Sequence, residues 1–268
     1  MRDDHFVLET ENGWLAGFRN MFANENVQWW RTGKWLTHLI VWFILLDVLI
    51  IANLYILPVV FSQEPRINST EKIVQQATGM FFTLAGLYLP AGIVILVHDS
   101  IIRERELGTM AWIMSKPVSR PSFVLSKMAA NVIAIMIIMV VVPGIVAYGV
   151  LSLYTGGLIN ATGFAVGLGI MALLCLFYLC MTFLMGTITQ SRYAVIGFGV
   201  IYLFLGLTAA GLLPDIAPYF VWDLSGLARD IAIGNSLPSD YLIQVIAALA
   251  WAVIMAAIAI RQIQQVEI

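Results

Sequence analysis

Apolar residues occur in this chain as long uninterrupted runs rather than as short alternating stretches. Six runs stand out, at residues 36–61, 77–97, 128–151, 164–188, 194–213 and 241–260. A helix needs about 20 apolar residues to cross the hydrocarbon core of a bilayer, and each run reaches that length. Because lipid offers no hydrogen-bond partner to a backbone, each run should be helical. The pattern predicts an all-α polytopic membrane protein with six transmembrane helices.

Composition supports a membrane protein and argues against several kinds of site. Apolar residues make up 60% of the chain and charged residues 11%, whereas about 25% of a soluble domain is charged. The two cysteines, Cys175 and Cys180, lie in one apolar run with no histidine nearby, so we interpret them as structural thiols. We expect no metal site, and the absence of a basic cluster predicts no nucleic-acid partner.

Lysine and arginine are unevenly divided between the two sides of the predicted membrane. Eleven of the 14 precede the first run, follow the sixth, or lie between the second and third or the fourth and fifth runs. The other three are Arg66, Lys72 and Arg229. Cytoplasmic loops carry the excess of basic residues, so both termini should face the cytoplasm, as an even number of spans requires. The expected location is the inner (plasma) membrane of the cell.

Two segments outside the six runs also show helical patterns. Before the first run, apolar residues recur at three- and four-residue spacing and are followed by Trp29, Trp30 and Trp35. This pattern is typical of an N-terminal interfacial helix, which either serves only as an anchor or also packs on the neighbouring spans. Between the fifth and sixth runs, the amphipathic residues 214–240 predict short helices at the outer surface.

The connection between the second and third runs, residues 99–127, is more elaborate than an ordinary loop. Four consecutive charged residues, at positions 103–106, precede an apolar stretch that Pro117 should terminate. One apolar face is expected from Ile101, Ile102, Leu107, Met110, Ala111, Ile113 and Met114. We predict a short helical hairpin at the membrane surface. The alternative is a solvated face with weak ion pairs inside the helix.

Two short motifs in this connection resemble the signature of the ABC-2-type transporter permeases. That signature reads Glu-Arg-Glu-x-Gly-Thr, then an apolar stretch, then Ser-x-Pro-Val-Ser-Arg and a downstream lysine. Here Glu-Arg-Glu-Leu-Gly-Thr occupies residues 104–109, Ser-Lys-Pro-Val-Ser-Arg occupies 115–120, and Lys127 follows. The match is close over roughly 25 residues, while the six-span layout extends it loosely over the chain.

The resemblance implies one permease domain, residues 1–268, in a type V ABC exporter. It divides the chain into a cytoplasmic N-terminus with the interfacial helix (1–35), a six-span bundle (36–260), a cytoplasmic coupling segment with a coupling helix (99–127) and the outer loop (214–240). In that family, the helices corresponding to residues 14–30 and 101–114 form the docking surface for an ATPase. The implied ATPase-coupling residues are Arg103, Glu104, Arg105, Glu106, Gly108, Thr109, Lys116, Pro117 and Arg120.

The resemblance also implies partners. They are two copies of a cytoplasmic nucleotide-binding ATPase subunit and a second permease, expected to be another copy of this chain. The sequence contains no Walker motif, so ATP and magnesium should bind to the partner, and this chain should carry no cofactor and no catalytic centre. The expected cargo is a hydrophobic, amphiphilic or peptide-like molecule, exported by alternating access.

Two of the polar residues inside the first apolar run are candidates for the substrate pathway. Asp47 sits about ten residues into the run, where an ionised carboxylate costs several kcal/mol unless it is paired or hydrated. It would line a polar pathway, bind a cation or sit protonated at a helix interface, while an interhelical hydrogen bond is the structural alternative. Asn53 follows after about 600° of helical rotation, so it should lie on a different face.

Two rival functions make different demands on the sequence. A secondary transporter driven by an ion gradient would use Asp47 as its coupling group, but inverted repeats with broken helices are not visible. An intramembrane enzyme would need converging catalytic residues, and neither His-Glu-x-x-His nor Gly-x-Ser-x-Gly occurs. The sequence therefore favours a permease over both rivals.

Overall fold

Helices form the secondary structure of this chain. The structure, a computed structural model, describes residues 13–56, 70–213 and 215–265 and contains no strand within them. The helices are α1 (Phe18–Arg31), α2 (Lys34–Ile56), α3 (Thr70–Val97), α4 (Ile102–Glu106), α5 (Thr109–Met114), α6 (Arg120–Thr155), α7 (Ala161–Ile188), α8 (Arg192–Leu212), α9 (Leu224–Ile233) and α10 (Tyr241–Gln265). A 3₁₀ turn at Ala217–Tyr219 precedes α9. The first twelve residues and the outer end of the predicted first span lie outside the described residues.

Six of the described helices are long and apolar enough to cross a membrane. They are α2, α3, α6, α7, α8 and α10, and each corresponds to one of the six predicted apolar runs, although residues 57–61 of the first run lie outside the described part of the chain. The length and apolar composition of these helices therefore confirm the prediction of an all-α, six-helix, multi-pass membrane protein.

Helix α6 begins eight residues before its predicted apolar run. Its first turns bury the polar side chains of Ser122, Ser126 and Lys127, which interrupt the apolar pattern in the sequence. Ser119 caps the helix, since its hydroxyl accepts a hydrogen bond from the Ser122 amide at 3.2 Å, and Pro121 suits the first turn. The cap and the proline thus place the start of the helix well before its apolar part.

Helix α7 is the centre of the bundle. It packs against α3, α6, α8, α9 and α10 and has the largest buried fraction of the six long helices. Gly167 allows an especially close approach, because a Cβ atom there would lie 2.8 Å from the Ala228 carbonyl oxygen of α9. The short α9 thereby packs between α7 and α3 and buries Leu224 and Leu227. The segment 214–240, predicted to form short helices, contains the 3₁₀ turn and α9, and α9 packs into the bundle.

Two neighbouring long helices contain π-helical turns. These turns are Phe43–Val48 and Ala52–Ile56 in α2 and Met136–Val141 in α6. The π turn Phe43–Val48 of α2 packs against the second half of α6, and the π turn of α6 packs against the start of α2. Such wide turns often occur at functional sites. Asp47 lies in the first of them.

Helix α1 packs mainly along the first half of α6 and buries none of its residues completely. Of the two interpretations of the N-terminal helix, the one in which it also contacts the spans agrees with this packing. Its position at a membrane interface stays a prediction.

Candidate functional site

The segment between α3 and α6 folds into a helical hairpin, the α4–α5 hairpin. Its helices are joined by Leu107 and Gly108, and Gly108 has a φ of +68°. Only glycine adopts this left-handed conformation without strain, and a Cβ atom at this position would meet nothing within 4 Å. The backbone conformation therefore explains the glycine. Helix α5 ends at Met114, shortly before Pro117, as predicted.

The hairpin buries one face and exposes its tip. Ile101, Ile102 and Met110 are buried, but Leu107 is 64% exposed and Ala111 is exposed too, so the prediction that all seven apolar residues share one face was wrong. The left-handed turn at Gly108 interrupts the helical periodicity, so a single helical repeat does not predict which side chains of the two short helices are buried. Trp112 is 62% exposed. The tip therefore presents two large apolar side chains.

A buried cluster of opposite charges anchors the hairpin. The Lys127 ammonium of α6 lies 2.7 Å from a carboxylate oxygen of Glu25 in α1 and 3.0 Å from one of Glu104 in α4. Lys127 is only 4% exposed. The Thr109 hydroxyl donates to the Glu104 carboxylate across the turn. This cluster, the Lys127 cluster, joins α1, α4 and α6.

The next two signature charges connect the hairpin to α7 and α8. The Arg105 guanidinium donates to the Thr187 carbonyl at 3.0 Å, near the C-terminal end of α7, where the helix dipole favours a cation. Glu106 pairs with Arg192, the first residue of α8. Arg192 also lies 4.0 Å from Asp99. Both of these signature side chains are engaged within the chain.

The second motif joins the hairpin to the N-terminal segment and to α10. The Ser119 amide and hydroxyl donate to the carbonyls of Ala16 at 3.0 Å and Trp14 at 2.5 Å. Arg120 donates to the Gln264 carbonyl of α10 at 2.6 Å. The Lys116 ammonium lies 3.5 Å from the centroid of the Trp112 ring, a cation–π contact beside the exposed Pro117. The second motif is thus bonded to the N-terminal docking element and to α10.

A cavity of about 630 Å³ opens between α1, the start of α2, the end of α3, the hairpin and α6. Charged and polar side chains dominate its lining, with Trp29 as the aromatic member. The charged residues that line it are Glu25, Lys34, Asp99, Arg103, Glu104 and Lys127. Such a cavity suits a polar or charged group rather than an apolar one.

The two candidates from the first run do not join this site. Asp47 is 1% exposed, does not line the cavity, and neither of its carboxylate oxygens has a hydrogen-bond partner among the described residues. Asn53 is partly exposed in the second π turn of α2. Their assignment to a substrate pathway stays a prediction.

Sequence reasoning missed two of the charges that complete the site. Glu25 lies 102 positions from Lys127, and Arg192 lies 86 positions from Glu106. Arg192 contributed only to the charge count for topology. A signal was available for Arg192 alone, because it is the single charge in a short turn between two apolar runs.

Comparison with known proteins gives a family and no activity. Residues 34–268 match DUF2705, a family of proteins of unknown function. A search of curated proteins gave no significant match. The matched region contains the α4–α5 hairpin and all six long helices and begins after α1. Since it covers most of the chain, the protein belongs to the DUF2705 family.

Proposed function

We propose that this chain is the transmembrane permease subunit of an ATP-binding cassette transporter of the ABC-2 type. In this proposal the α4–α5 hairpin and α1 receive the movement of a separate ATPase. One observation carries the proposal: the hairpin's signature charges bond to other helices of the bundle while its apolar tip remains exposed.

The bonded side of the hairpin suits the transmission of force. The Lys127 cluster joins the hairpin to α1 and α6, and Arg105 and Glu106 extend the connection to α7 and α8. A buried ion pair adds little net stability over apolar packing, but breaking it is costly. A push on the hairpin would therefore move the ends of α1 and α6 with it as a rigid body, as alternating access requires.

The exposed side of the hairpin suits a protein partner. Leu107 and Trp112 project from a segment rich in charges, and tryptophan is a frequent anchor in protein interfaces. The partner we propose is the ATPase, in two copies, which would bind ATP and magnesium. A second copy of this chain would complete the transporter.

The proposed orientation follows from the distribution of basic residues. It puts the hairpin and both termini on the cytoplasmic side of the inner membrane. The cargo would be a hydrophobic, amphiphilic or peptide-like molecule, moved outward. The apolar character of the six long helices supports this class, since such a molecule enters readily from the bilayer.

Co-purification tests the docking surface. The full chain is expressed together with its neighbouring genes, and the Walker-motif ATPase that co-purifies with it is quantified. We expect Leu107→Asp and Trp112→Glu each to reduce recovery at least tenfold. Leu158→Asp is the matched control, because Leu158 is 85% exposed in the connection between α6 and α7. Full recovery with both hairpin variants would refute the proposed docking surface.

Side-specific labelling tests the orientation. Both natural cysteines are buried, so Trp112→Cys supplies the accessible thiol without further substitutions. A membrane-impermeant maleimide should label it in inverted vesicles and leave it unlabelled in intact cells. Labelling in intact cells would put the hairpin on the outer face and end the proposal.

A further inference from the structure

The interior of the bundle contains an acidic side chain without a bonding partner. Asp47 lies in the π turn Phe43–Val48, and both of its carboxylate oxygens are buried and unbonded within the described residues. The other buried side-chain polar atom of α2 without a hydrogen-bond partner is the indole nitrogen of Trp42, five residues earlier and about one π turn away. The Trp42 ring packs against Gly92 of α3.

Among the described residues, no charged side chain pairs with Asp47. The segment Phe43–Val48 packs mainly against the rest of α2, α3 and the second half of α6. The titratable side chains on these helices are Lys34, His38, Tyr55, Glu71, Lys72, Tyr88, Arg120, Lys127, Tyr148 and Tyr154. None of them forms an ion pair or hydrogen bond with Asp47. His38, the nearest titratable residue before it in α2, is nine positions away, roughly 13 Å along a helix axis.

A bound metal ion is also a poor explanation for this carboxyl group. Within the described part of the chain, no group of three or more His, Cys, Asp or Glu side chains is arranged to hold one. An isolated ionised carboxylate in a low-dielectric interior is far more costly than a neutral polar group. Of the two protonation states, the neutral acid is the one compatible with these surroundings.

We propose that Asp47 is a proton-binding site, occupied by one proton while the bundle is closed around it. The site binds nothing larger, since the side chain is almost completely buried and does not line the cavity beside the hairpin. The proton can exchange only when α2 separates from α3 or α6 and water reaches the carboxyl group. This inference does not depend on an ATPase partner.

Infrared spectroscopy of the full chain in lipid vesicles at neutral pH tests the proposal directly. A protonated carboxylic acid has its own carbonyl band, which shifts when aspartate carries carbon-13 in its carboxyl group. We expect such a band in the wild type, equivalent to one group per chain, and its loss in Asp47→Asn. Asp99→Asn is the matched control and should retain the band. Asp99 follows the end of α3 and lies 4.0 Å from the Arg192 guanidinium, which favours its ionised form. A wild type without any shifting band would overturn the proposal, whether or not the variant folds.

Ion replacement provides a second test, which separates a proton from a monovalent metal cation. The unfolding temperature of the wild type should be the same in sodium, potassium and choline salts. A stabilisation by sodium or potassium that disappears in Asp47→Asn would show that a metal cation balances the carboxylate, and the proposal would be wrong.

Discussion

Lys127 and Asp47 are both almost completely buried, yet their surroundings differ in the feature that decides their role. Lys127 has a carboxylate on each of two other helices, whereas Asp47 has no partner among the described residues. A paired charge holds its partners in place, because separating them leaves an uncompensated charge in a low-dielectric environment. An unpaired acid that keeps its proton imposes no such bond. The hairpin end of the bundle is therefore held together by charge, and the region around Asp47 by packing.

Removing the Lys127 ammonium should have the largest effect. Lys127→Met leaves Glu25 and Glu104 facing each other without a cation, and we expect a loss of about 3 kcal/mol in the free energy of unfolding, the low end for a buried pair because both carboxylates keep some exposure to solvent. Thermal unfolding of the purified protein measures it. Lys116→Met is the matched control, because Lys116 is exposed over Trp112. Equal losses in the two variants would contradict the role assigned to the Lys127 cluster.

Crowding the region around Asp47 should have the next largest effect. A Cβ atom at Gly92 would lie 2.2 Å from the Trp42 ring, so Gly92→Ala should cost about 1–3 kcal/mol through overpacking. The same measurement on Gly149→Ala supplies the control, since a Cβ atom there meets nothing within 4 Å. If Gly92→Ala were as stable as Gly149→Ala, packing would not be what holds this region together.

The hairpin turn should respond more weakly. Gly108→Ala forces a side chain into the left-handed region and should cost about 1–2 kcal/mol. Asparagine tolerates that conformation better, so Gly108→Asn should lose less stability than Gly108→Ala. A ranking in the opposite order would show that the backbone conformation is not the reason for the glycine.

The exposed ion pair of the hairpin should matter least for stability. Glu106→Gln removes the partner of Arg192, but both side chains reach solvent, where such pairs contribute little. We expect an unfolding temperature within experimental error of the wild type. A clear decrease in the unfolding temperature would show that the Glu106–Arg192 pair anchors the hairpin, as the Lys127 cluster does.

Local features of this molecule could be predicted from sequence, whereas pairings between distant residues could not. The long helices follow from apolar length, and the hairpin follows from Gly108 and Pro117, whose backbone preferences act locally. The ion pair between Glu25 and Lys127 has no local signature, because it depends on how α1 packs along α6. The exposure of Leu107 also depends on the left-handed turn, which a helical periodicity does not anticipate.

Helix α9 has a mechanical consequence for the end of the bundle opposite the hairpin. It contributes apolar side chains between α3 and α7 without crossing the bilayer, and its backbone rests on Gly167. Helix α9 therefore fills the gap between those two helices. Widening that gap would first have to expose Leu224 and Leu227. The burial of these two leucines therefore opposes any separation of α3 from α7.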